Sequence, residues 1–470
     1  MNSDYHGVSI CVYIDTHSHL YDKKFSTDFP RMIQRAIESG VERIIVIGED
    51  LETSRKVVAM ANRATIFSAT IGVHPHHAKT YTYDIEKFFE QTSEDPKVVA
   101  IGEVGLDYYH ENSPRDLQTE VFRRQIHLAR RCGLPLVLHV RDAYQDLLKI
   151  FKEEKAGEIG GVVHCFSSDY ADAKAILDFG FYLGIGGPVT YGNAQVLQEV
   201  VRKVPIERIL LETDAPYLAP APKRGRRNEP SFLKYTARQI AELKKLSIQD
   251  VARITKLNAL KVYRLPKRLE PQVAYPIEKC LYLNITNHCS NHCYFCHRGG
   301  DFVIKGHYLK LKEEPTVEEI KAAVGDGEVF ERYEEVAFCG AGEPTLRFDV
   351  VMEIAKWLKE KGLRVRLNTN GQGNLINKRD ILPEMKGLID TLSISLNAPD
   401  ARTYNKVSQP ADKKGAFPAV LEFAREAKQH VPNVVMTAVA APEVDLEACR
   451  ALAEDELEIP FLVREFEPVE

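Results

Sequence analysis

The sequence predicts an α/β protein made of two parallel barrels, a complete (βα)8 TIM barrel followed by a partial (βα)6 barrel. Two observations predict this fold. Short runs of Val, Ile and Leu, typical of strands buried on both faces, alternate along the 470 residues with longer segments of helical period. A proline-marked segment near residue 270 divides eight such strands from six. Because one α/β barrel takes up to about 250 residues, two barrels account for the length.

Eight candidate strands precede the proline-marked segment, and eight parallel strands close a TIM barrel. They are Val12–Ile14, Arg43–Ile47, Thr65–Ile71, Val98–Ile101, Leu136–Leu138, Val162–His164, Phe181–Gly184 and Ile209–Leu211. The intervening segments are long enough for the helices that connect parallel strands.

The boundary between the halves is predicted around Pro266, Pro271 and Pro276, because proline ends a helix and cannot donate a backbone hydrogen bond. We predict domains at residues 1–265 and 279–470, joined by a linker at residues 266–278. The second domain has six candidate strands, enough for an open barrel. They are Leu281–Ile285, Glu335–Phe338, Arg364–Asn368, Thr391–Ser395, Val434–Ala438 and Phe461–Val463.

The composition is that of an ordinary globular protein, with 44% hydrophobic and 27% charged residues. No run of about 18 apolar residues predicts a membrane span, and residues 1–10 have no apolar core of a secretory signal, so we expect a cytoplasmic protein. Residues 1–265 hold 36 Lys and Arg against 34 Asp and Glu, and the remainder holds 26 against 33. Neither half is broadly basic, so any contact with nucleic acid must be local.

Polar side chains fall at the ends of the strands in the first half, where the loops of a barrel carry the active site. These candidates are His17 and His19 after strand one, Glu103 after strand four, His139 after strand five, His164 after strand six and Asp214 after strand eight. Mixed nitrogen and oxygen ligands suit Zn²⁺, Mn²⁺ or Mg²⁺. A shared carboxylate such as Glu103 is what a two-metal centre needs, and two ions about 4 Å apart can activate water and neutralise phosphoryl charge. His74 is a further candidate, whereas His76 and His77 are expected to be solvated loop residues.

The first half resembles the TatD family of metal-dependent deoxyribonucleases, within the amidohydrolase-type barrels, over about residues 12–264. The resemblance rests on DTHSHL (15–20), IGVHPH (71–76), IGEVGLDYY (101–109), LHVR (138–141), HCFS (164–167), ETDAPYL (212–218) and RGRRNEP (224–230). It implies that His17, His19, Glu103 and Asp214 hold one ion and that Glu103, His139 and His164 hold the second. Asp214 would also orient the attacking water. The implied reaction is phosphodiester hydrolysis, typically exonucleolytic on DNA, so DNA or a nucleotide is the expected substrate.

Two questions about the first half stay open on the sequence. Amidohydrolase-type barrels also act on small amides and nucleobases, although Glu103 at the bridging position favours the phosphoesterase branch. The basic run contains Arg224, Arg226 and Arg227, which we interpret as a phosphate clamp because guanidinium groups bind phosphate in a bidentate manner. A solvated basic loop is the alternative. Family members often carry His where this chain has Lys223.

The chain has nine cysteines, and three in the second half, Cys289, Cys293 and Cys296, form a C-x3-C-x2-C motif just after a strand. Thiolates at this spacing indicate an iron–sulfur cluster or zinc rather than disulfides. A cubane cluster held by three cysteines leaves one iron open to a substrate. Cys280 or Cys339 could supply a fourth ligand.

Polar and glycine-rich loops follow the next three strands, so they are expected to face the same barrel mouth. Gly340, Gly342 and Glu343 follow one strand, and glycine permits a close approach of backbone to a small ligand. Asn368 and Asn370 follow the next strand, and Ser395 and Asn397 the one after it.

The second half resembles the radical S-adenosylmethionine superfamily over roughly residues 279–467, and more narrowly the radical enzymes associated with TatD nucleases. The resemblance implies a [4Fe–4S] cluster on Cys289, Cys293 and Cys296, with Phe295 near the adenine of S-adenosylmethionine. Gly340 to Glu343 would bind the methionine amino group. Polar contacts to ribose or carboxylate would come from Asn368, Asn370, Ser395 and Asn397, and Val439 would touch adenine. The reduced cluster, supplied by an electron donor, would generate a 5′-deoxyadenosyl radical.

The resemblance leaves the radical substrate and the oligomeric state open. One alternative is a glycyl-radical activase, because His297 follows the cysteine motif. Another is a non-catalytic zinc or redox module. We predict a bifunctional enzyme, a metal-dependent phosphodiesterase fused to a radical S-adenosylmethionine enzyme, in which one half processes a nucleic-acid or nucleotide substrate that the other modifies.

Overall fold

The structure is a computed structural model that describes residues 11–266, 269–325 and 333–466. The chain divides into two compact units between residues 267 and 268. This division lies inside the segment predicted as a linker. Each unit has its own hydrophobic core.

The first unit is the predicted eight-stranded parallel barrel, in which each strand pairs with the next along the chain. The strands are β1 (Tyr13–Ser18), β2 (Val41–Val46), β3 (Phe67–Ile71), β4 (Val98–Asp107), β5 (Leu136–Arg141), β6 (Gly161–Val163), β7 (Tyr182–Ile185) and β8 (Ile209–Leu211). Their Val, Ile and Leu side chains are almost fully buried, which explains the continuous apolar runs in the sequence.

Nine helices surround this barrel among the described residues. They are α1 (Phe29–Glu38), α2 (Leu51–Ala61), α3 (Tyr83–Thr92), α4 (Arg115–Cys132), α5 (Tyr144–Glu153), α6 (Tyr170–Asp178), α7 (Gln195–Lys203), α8 (Leu233–Lys244) and α9 (Ile248–Val262). Several begin at side-chain caps, as at Asp50, where Asp50 and Thr53 form a reciprocal capping box. Such caps satisfy backbone N–H groups that have no partner within the helix.

The barrel closes where β1 meets the segment that follows β8. The Asp214 backbone N–H donates to the His17 carbonyl at 2.9 Å, and the His19 N–H donates to the Ala215 carbonyl at 2.7 Å. These bonds place the two ends of the domain side by side. They therefore bring two sequence motifs almost 200 residues apart, DTHSH and ETDA, to one side of the barrel mouth.

Strand β4 is longer than the sequence predicted, because it continues past Ile101 to Asp107 with every residue buried. Gly105 makes this extension possible. Its φ is +134°, and a Cβ atom there would lie 2.1 Å from the His139 carbonyl oxygen. Glu103 is consequently part of the barrel wall, and Asp107 occupies the end of the strand.

The main sheet of the second unit contains the six predicted parallel strands and one strand that was not predicted. The sheet consists, in spatial order, of β17 (Phe461–Arg464), β16 (Asn433–Val439), β15 (Thr391–Ser395), β14 (Arg364–Thr369), β13 (Glu335–Phe338), β10 (Cys280–Leu283) and β9 (Ala274–Ile277). The unpredicted β9 pairs antiparallel with β10 at the edge, within the predicted linker. Pro276 is tolerated there because an edge strand has an unpaired side.

A short hairpin and six helices complete the described part of the second unit. The hairpin is β11 (Val303–Ile304) with β12 (His307–Tyr308), and the helices are α10 (Val317–Val324), α11 (Phe348–Glu360), α12 (Gly373–Asn377), α13 (Ala401–Val407), α14 (Ala416–Ala427) and α15 (Leu446–Ala451). Among the helices of residues 11–266, 269–325 and 333–466, none is both long and apolar enough to cross a lipid bilayer.

Candidate metal centre and cluster site

Glu103 stands at the middle of the first candidate site, and its two carboxylate oxygens face different imidazoles. Oε2 lies 3.4 Å from His17 Nε2 and 3.9 Å from His19 Nε2. Oε1 lies 3.0 Å from His139 Nδ1 and 3.2 Å from His164 Nε2. The two oxygens of the carboxylate therefore face two different sets of imidazoles, which is the arrangement that a shared ligand of two ions would need.

Asp214 completes the first set of candidate ligands. Its Oδ1 atom lies 3.2 Å from His19 Nε2 and 3.9 Å from His17 Nε2. The positive φ of 58° at Asp214 turns the backbone after β8 so that the side chain meets β1. The Asp214 side chain is 14% exposed, against 3% for Glu103, so it is the more accessible carboxylate for a water molecule.

The imidazoles around the buried carboxylates of this site favour the ionised form of the carboxylates. Burial opposes the charge on the rings of His19, His139 and His164, but the carboxylates in turn raise the pKa of all three. Burial opposes the ionisation of Glu103, but the charges of the surrounding imidazoles, His164 first, hold its pKa well below its usual range. Burial likewise works against Asp214, yet the hydrogen bond from His19 lowers its pKa. Burial lowers the pKa of His17 and favours the neutral ring that can bind a metal. The Nδ1 atom of His17 is buried and has no hydrogen-bond partner among the described residues.

Several residues that the sequence analysis did not select, or weighed only lightly, surround these ligands. His74 is buried, with Nε2 3.6 Å from Glu103 Oε1. Glu49 lies after β2 with Oε2 3.7 Å from His19 Nδ1, and Glu212 lies 3.4 Å from His164 Nδ1. Glu49 and Glu212 both follow strands, and that position was the signal that could have identified them.

Asp107 is the most consequential of the residues that were missed. Its Oδ2 atom lies 3.0 Å from His139 Nε2, the ring nitrogen opposite the one that faces Glu103. His76, which the sequence placed in a solvated loop, lies 2.8 Å from the same oxygen and is only partly exposed. His77 is exposed, as expected.

The basic loop after β8 differs from the predicted phosphate clamp at one position. The guanidinium of Arg227 binds Asp28 at 2.6 and 3.0 Å and lies 3.4 Å from Glu229. Its charge is therefore already neutralised, and Arg227 fixes the loop instead of binding phosphate. Arg224 and Arg226 remain exposed, and Arg224 stacks 4.2 Å above the ring of Tyr191.

The second candidate site is a cavity at the carboxyl ends of the parallel strands in the second unit. Cys289, Cys293 and Cys296 line it, and all three are half-buried thiols. Every cofactor-binding residue predicted from the sequence lines the same cavity, namely Phe295, Gly340, Gly342, Glu343, Asn368, Asn370, Ser395 and Asn397. Val439, Cys339, Thr437 and Arg464 also line it. Cys280 begins β10, with its sulfur 3.4 Å from Arg366 Nη2.

Glu343 ties the loop after β13 to the loop after β14. Its Oε1 atom accepts hydrogen bonds from the Thr345 and Thr369 hydroxyls at 2.6 and 2.7 Å, and its Oε2 atom accepts one from the Asn370 backbone N–H at 2.7 Å. Burial raises the pKa of Glu343 against these bonds. The side chain therefore positions two loops that face the cavity.

Packing against the protein is by itself sufficient to require the glycines of the same loop. A Cβ atom on Gly340 would lie 2.2 Å from Asn284 Oδ1, and one on Gly342 would lie 2.2 Å from the Thr286 carbonyl oxygen. The loop therefore rests directly on the residues that follow β10, which also lead to the cysteine motif.

The polar atoms of the cavity fit a cluster and a polar organic cofactor. The Asn291 N–H donates to Cys289 Sγ at 3.4 Å, and Asn370 Nδ2 lies 3.9 Å from the same sulfur. Such donors stabilise a thiolate. Asn368 lines the cavity. Its Oδ1 atom is buried and has no hydrogen-bond partner among the described residues. An unpaired buried oxygen indicates a missing donor, such as a hydroxyl or ammonium group.

Comparison with known proteins identifies the families of both units. A family model described as TatD related DNase matches residues 14–264, more than half of the chain, and a model of the Radical SAM superfamily matches residues 283–455. The chain belongs to the TatD family of metal-dependent hydrolases and carries a radical SAM domain after the hydrolase domain. It is therefore an enzyme with a metal-dependent hydrolase part and a radical SAM part.

Three similar proteins match the first unit over nearly their whole length. The chain is 45% identical over 251 residues to an uncharacterized metal-dependent hydrolase, YabD, of Bacillus subtilis, covering 53% of this chain and 98% of that protein. It is 34% identical to a protein of Erwinia amylovora named 3′-5′ ssDNA/RNA exonuclease TatD, covering 53% and 99%. The crystal structure of the Escherichia coli TatD homologue YjjV aligns with a TM-score of 0.52 at 31% identity, covering 55% and 100%.

Proposed function

We propose that the first unit is a two-metal phosphodiesterase that removes nucleotides from DNA. The observation that carries this proposal is the division of the Glu103 carboxylate between two sets of imidazoles. In the proposal, His17, His19, Glu103 and Asp214 hold one Mg²⁺, Mn²⁺ or Zn²⁺ ion, and Glu103, His139 and His164 hold the other. When bound, the ions supply an activated water and neutralise charge on a phosphoryl oxygen.

Asp214 is the proposed proton acceptor of the reaction. Its pKa is lowered, so it is ionised near neutral pH, and its side chain is the more exposed of the two central carboxylates. His19 holds its Oδ1 atom at 3.2 Å and so orients the carboxylate. Glu103 is buried and acts by holding the ligand set together.

A nucleic-acid substrate is supported by the relative from Erwinia amylovora, whose name specifies a 3′-5′ ssDNA/RNA exonuclease. Arg224 and Arg226 are exposed guanidinium groups on the loop after β8, and they supply local positive charge for a phosphate. Because the unit as a whole is nearly neutral, the metal ions and these two arginines would carry most of the attraction to DNA.

A nuclease assay tests this proposal. Labelled single-stranded DNA is incubated with the full chain and Mg²⁺ or Mn²⁺, and His17→Ala serves as the inactive control. We expect stepwise shortening of the DNA by the wild type and its loss in the variant. Intact DNA together with hydrolysis of a small amide or nucleobase would favour the amidohydrolase alternative.

We propose that the second unit binds a [4Fe–4S] cluster on Cys289, Cys293 and Cys296 and S-adenosylmethionine in the adjoining cavity. Reduced by an electron donor, the bound cluster and cofactor supply a 5′-deoxyadenosyl radical that removes a hydrogen atom from a substrate. The chain itself contributes Asn368 as a hydrogen-bond acceptor and Asn370 and Asn291 as donors to Cys289. Glu343 holds the loops after β13 and β14 together by accepting hydrogen bonds from Thr369 and Asn370.

Anaerobic reconstitution tests this second proposal. The reconstituted chain is reduced with dithionite in the presence of S-adenosylmethionine, and 5′-deoxyadenosine is measured. We expect its formation by the wild type and none by Cys293→Ala. Zinc in the cysteine site without iron would identify the non-catalytic alternative, and a radical on a co-purified protein would identify an activase.

Because both units belong to one chain, each unit has a high effective concentration near the product that the other unit releases. We therefore propose that they act on one nucleic-acid or nucleotide substrate in sequence. Binding of single-stranded DNA or mononucleotides is measured with the reconstituted full chain and with His17→Ala and Cys293→Ala variants. Absence of binding by the wild type would contradict a shared substrate.

A further inference from the structure

Asp107 collects more hydrogen-bond donors than a carboxylate accommodates. Its Oδ1 atom faces the backbone N–H groups of Tyr109 and His110 at 3.0 and 2.8 Å. Its Oδ2 atom faces three ring nitrogens, His76 Nε2 at 2.8 Å, His110 Nδ1 at 3.0 Å and His139 Nε2 at 3.0 Å. A carboxylate offers about four lone-pair positions, so five contacts exceed its capacity.

A cation would remove this excess. This step rests on the proposed two-metal centre, in which Nδ1 of His139 binds an ion beside Glu103, so that Nε2 carries the proton and keeps its bond to Oδ2. If an ion takes the remaining position on Oδ2, His76 and His110 can present lone pairs to that ion instead of competing as donors. Asp107 then has two contacts on each oxygen, which matches its capacity.

The spacing of these three groups fits a metal ion. Ligand atoms at about 2.1 Å from an ion and at right angles to each other lie about 3.0 Å apart. The His76 and His110 nitrogens lie 2.8 and 3.0 Å from Asp107 Oδ2, and the three ligand atoms form one compact set within 4.8 Å. Two imidazoles and one carboxylate are a ligand set for Zn²⁺, Mn²⁺ or Fe²⁺.

We propose that His76 Nε2, His110 Nδ1 and an Asp107 oxygen form a third divalent-metal site, next to the two-metal centre. The Asp107 side chain is fully buried, whereas His76 and His110 are 25% and 42% exposed. The buried carboxylate fixes the site, and the exposed side leaves positions for water or a phosphate oxygen of a substrate. His139 connects the third site to Glu103 through its two ring nitrogens.

The zinc content of the full chain tests this proposal independently of catalysis. Cys289, Cys293 and Cys296 are first replaced by Ala, so that zinc cannot bind the cluster motif. The metal-free protein is saturated with Zn²⁺, freed of excess metal, and analysed for zinc per chain. We expect three ions in this background, and one fewer after His110→Ala or His76→Ala.

A matched control is His127→Ala. His127 also lies 2.8 Å from a carboxylate, that of Glu154, and is 53% exposed. The other partner of Glu154 is Arg123, whose guanidinium cannot bind a metal ion. His127→Ala should therefore leave the zinc content at three ions per chain. Melting temperatures show that each variant is folded, and the exposed position of His110 makes unfolding of His110→Ala unexpected.

Two results would overturn the third site. One is two zinc ions in the parent background, and the other is a content unchanged by both His110→Ala and His76→Ala. A content below two would instead contradict the two-metal centre, so the failures of the two proposals are distinguishable.

Discussion

The Nε2 atom of His139 lies 3.0 Å from the Oδ2 atom of Asp107, on the side of the ring opposite Glu103. Both ring nitrogens of His139 therefore face a carboxylate, and the proposed two-metal centre requires the proton on Nε2. If Nε2 donates to Asp107, then Nδ1 presents its lone pair toward Glu103, 3.0 Å away. Burial opposes the charge on Asp107, but hydrogen bonds, first of all the one from His139, keep its pKa well below the usual value, so the acceptor is always ionised.

Replacing Asp107 by Asn is therefore expected to weaken metal binding by His139. Loss of a carboxylate behind a metal-binding histidine costs roughly 10–100-fold in metal affinity or activity. Mn²⁺ titration and nuclease rates of Asp107→Asn measure the loss, and His110→Ala separates it from any effect on the third site.

The control for this change is Asp146→Asn. Asp146 accepts a hydrogen bond from Tyr108 at 2.8 Å near the same barrel mouth, but it contacts no candidate ligand. An equal loss in both variants would mean that Asp107 acts through general surface charge and not through His139.

The sequence predicted which side chains of the first unit meet, because parallel strands end at one mouth and a polar residue after each strand falls near the others. His17, Glu103 and His164 meet as expected for this reason. Asp107 was missed because the predicted strand ended at Ile101, whereas β4 continues through Gly105 with a backbone conformation that only glycine adopts easily.

Arg227 and Arg224 are expected to respond differently to replacement. Arg227→Ala removes one of the two guanidinium partners of Asp28, the other being Arg35, and should lower the free energy of unfolding by roughly 1–2 kcal/mol, because hydrogen bonds between charged groups are lost. Arg224→Ala should leave the free energy of unfolding unchanged. It should reduce the slope of log DNA affinity against log salt concentration by about 1, the contribution of one phosphate contact. Chemical denaturation and binding at several salt concentrations measure the two effects. A loss of DNA affinity in stable Arg227→Ala protein would restore its predicted role as a phosphate clamp.

Gly342→Ala should destabilise the second unit. The new methyl group would lie 2.2 Å from the Thr286 carbonyl oxygen, and overpacking of this kind typically costs about 1–3 kcal/mol. We expect a lower melting temperature and less iron bound after reconstitution. Gly299→Ala is the control, because its methyl group would meet nothing within 4 Å although it lies near the cysteine motif. Wild-type behaviour of Gly342→Ala would contradict the packing explanation.

The sequence located the cavity residues of the second unit but not the reason for the glycines. Their spacing after β13 suggested a ligand, whereas the contacts that exclude a side chain come from Asn284 and Thr286 on the neighbouring strand end. Close backbone contacts between distant segments leave no pattern in a single sequence. For the same reason β9 was missed, since Pro276 and the prolines before it suggested a linker, and only the pairing with β10 identifies an edge strand.

Asn368→Leu should separate stability from cofactor binding. The buried Oδ1 atom has no described partner, so an apolar side chain of similar shape should leave the free energy of unfolding unchanged or raise it by about 1 kcal/mol. The affinity for S-adenosylmethionine should fall about tenfold, the effect of one hydrogen bond. Equilibrium dialysis on the anaerobic protein measures this affinity. Asn405→Leu, which removes another unpaired amide oxygen outside the cavity, should leave it unchanged, and unchanged binding in Asn368→Leu would contradict a cofactor contact.

The central claim is that one chain holds two chemically distinct metal-dependent centres, one on Glu103 and one on the cysteine motif. Anaerobic analysis of iron, sulfide and manganese per chain tests it most directly, with wild type, Glu103→Gln and Cys293→Ala measured in parallel after reconstitution. We predict about four iron and four sulfide ions and at least two manganese ions in the wild type. Glu103→Gln should lose manganese and keep iron, and Cys293→Ala should do the reverse. Zinc in place of iron and sulfide, or manganese that persists at the wild-type level in Glu103→Gln, would contradict the account.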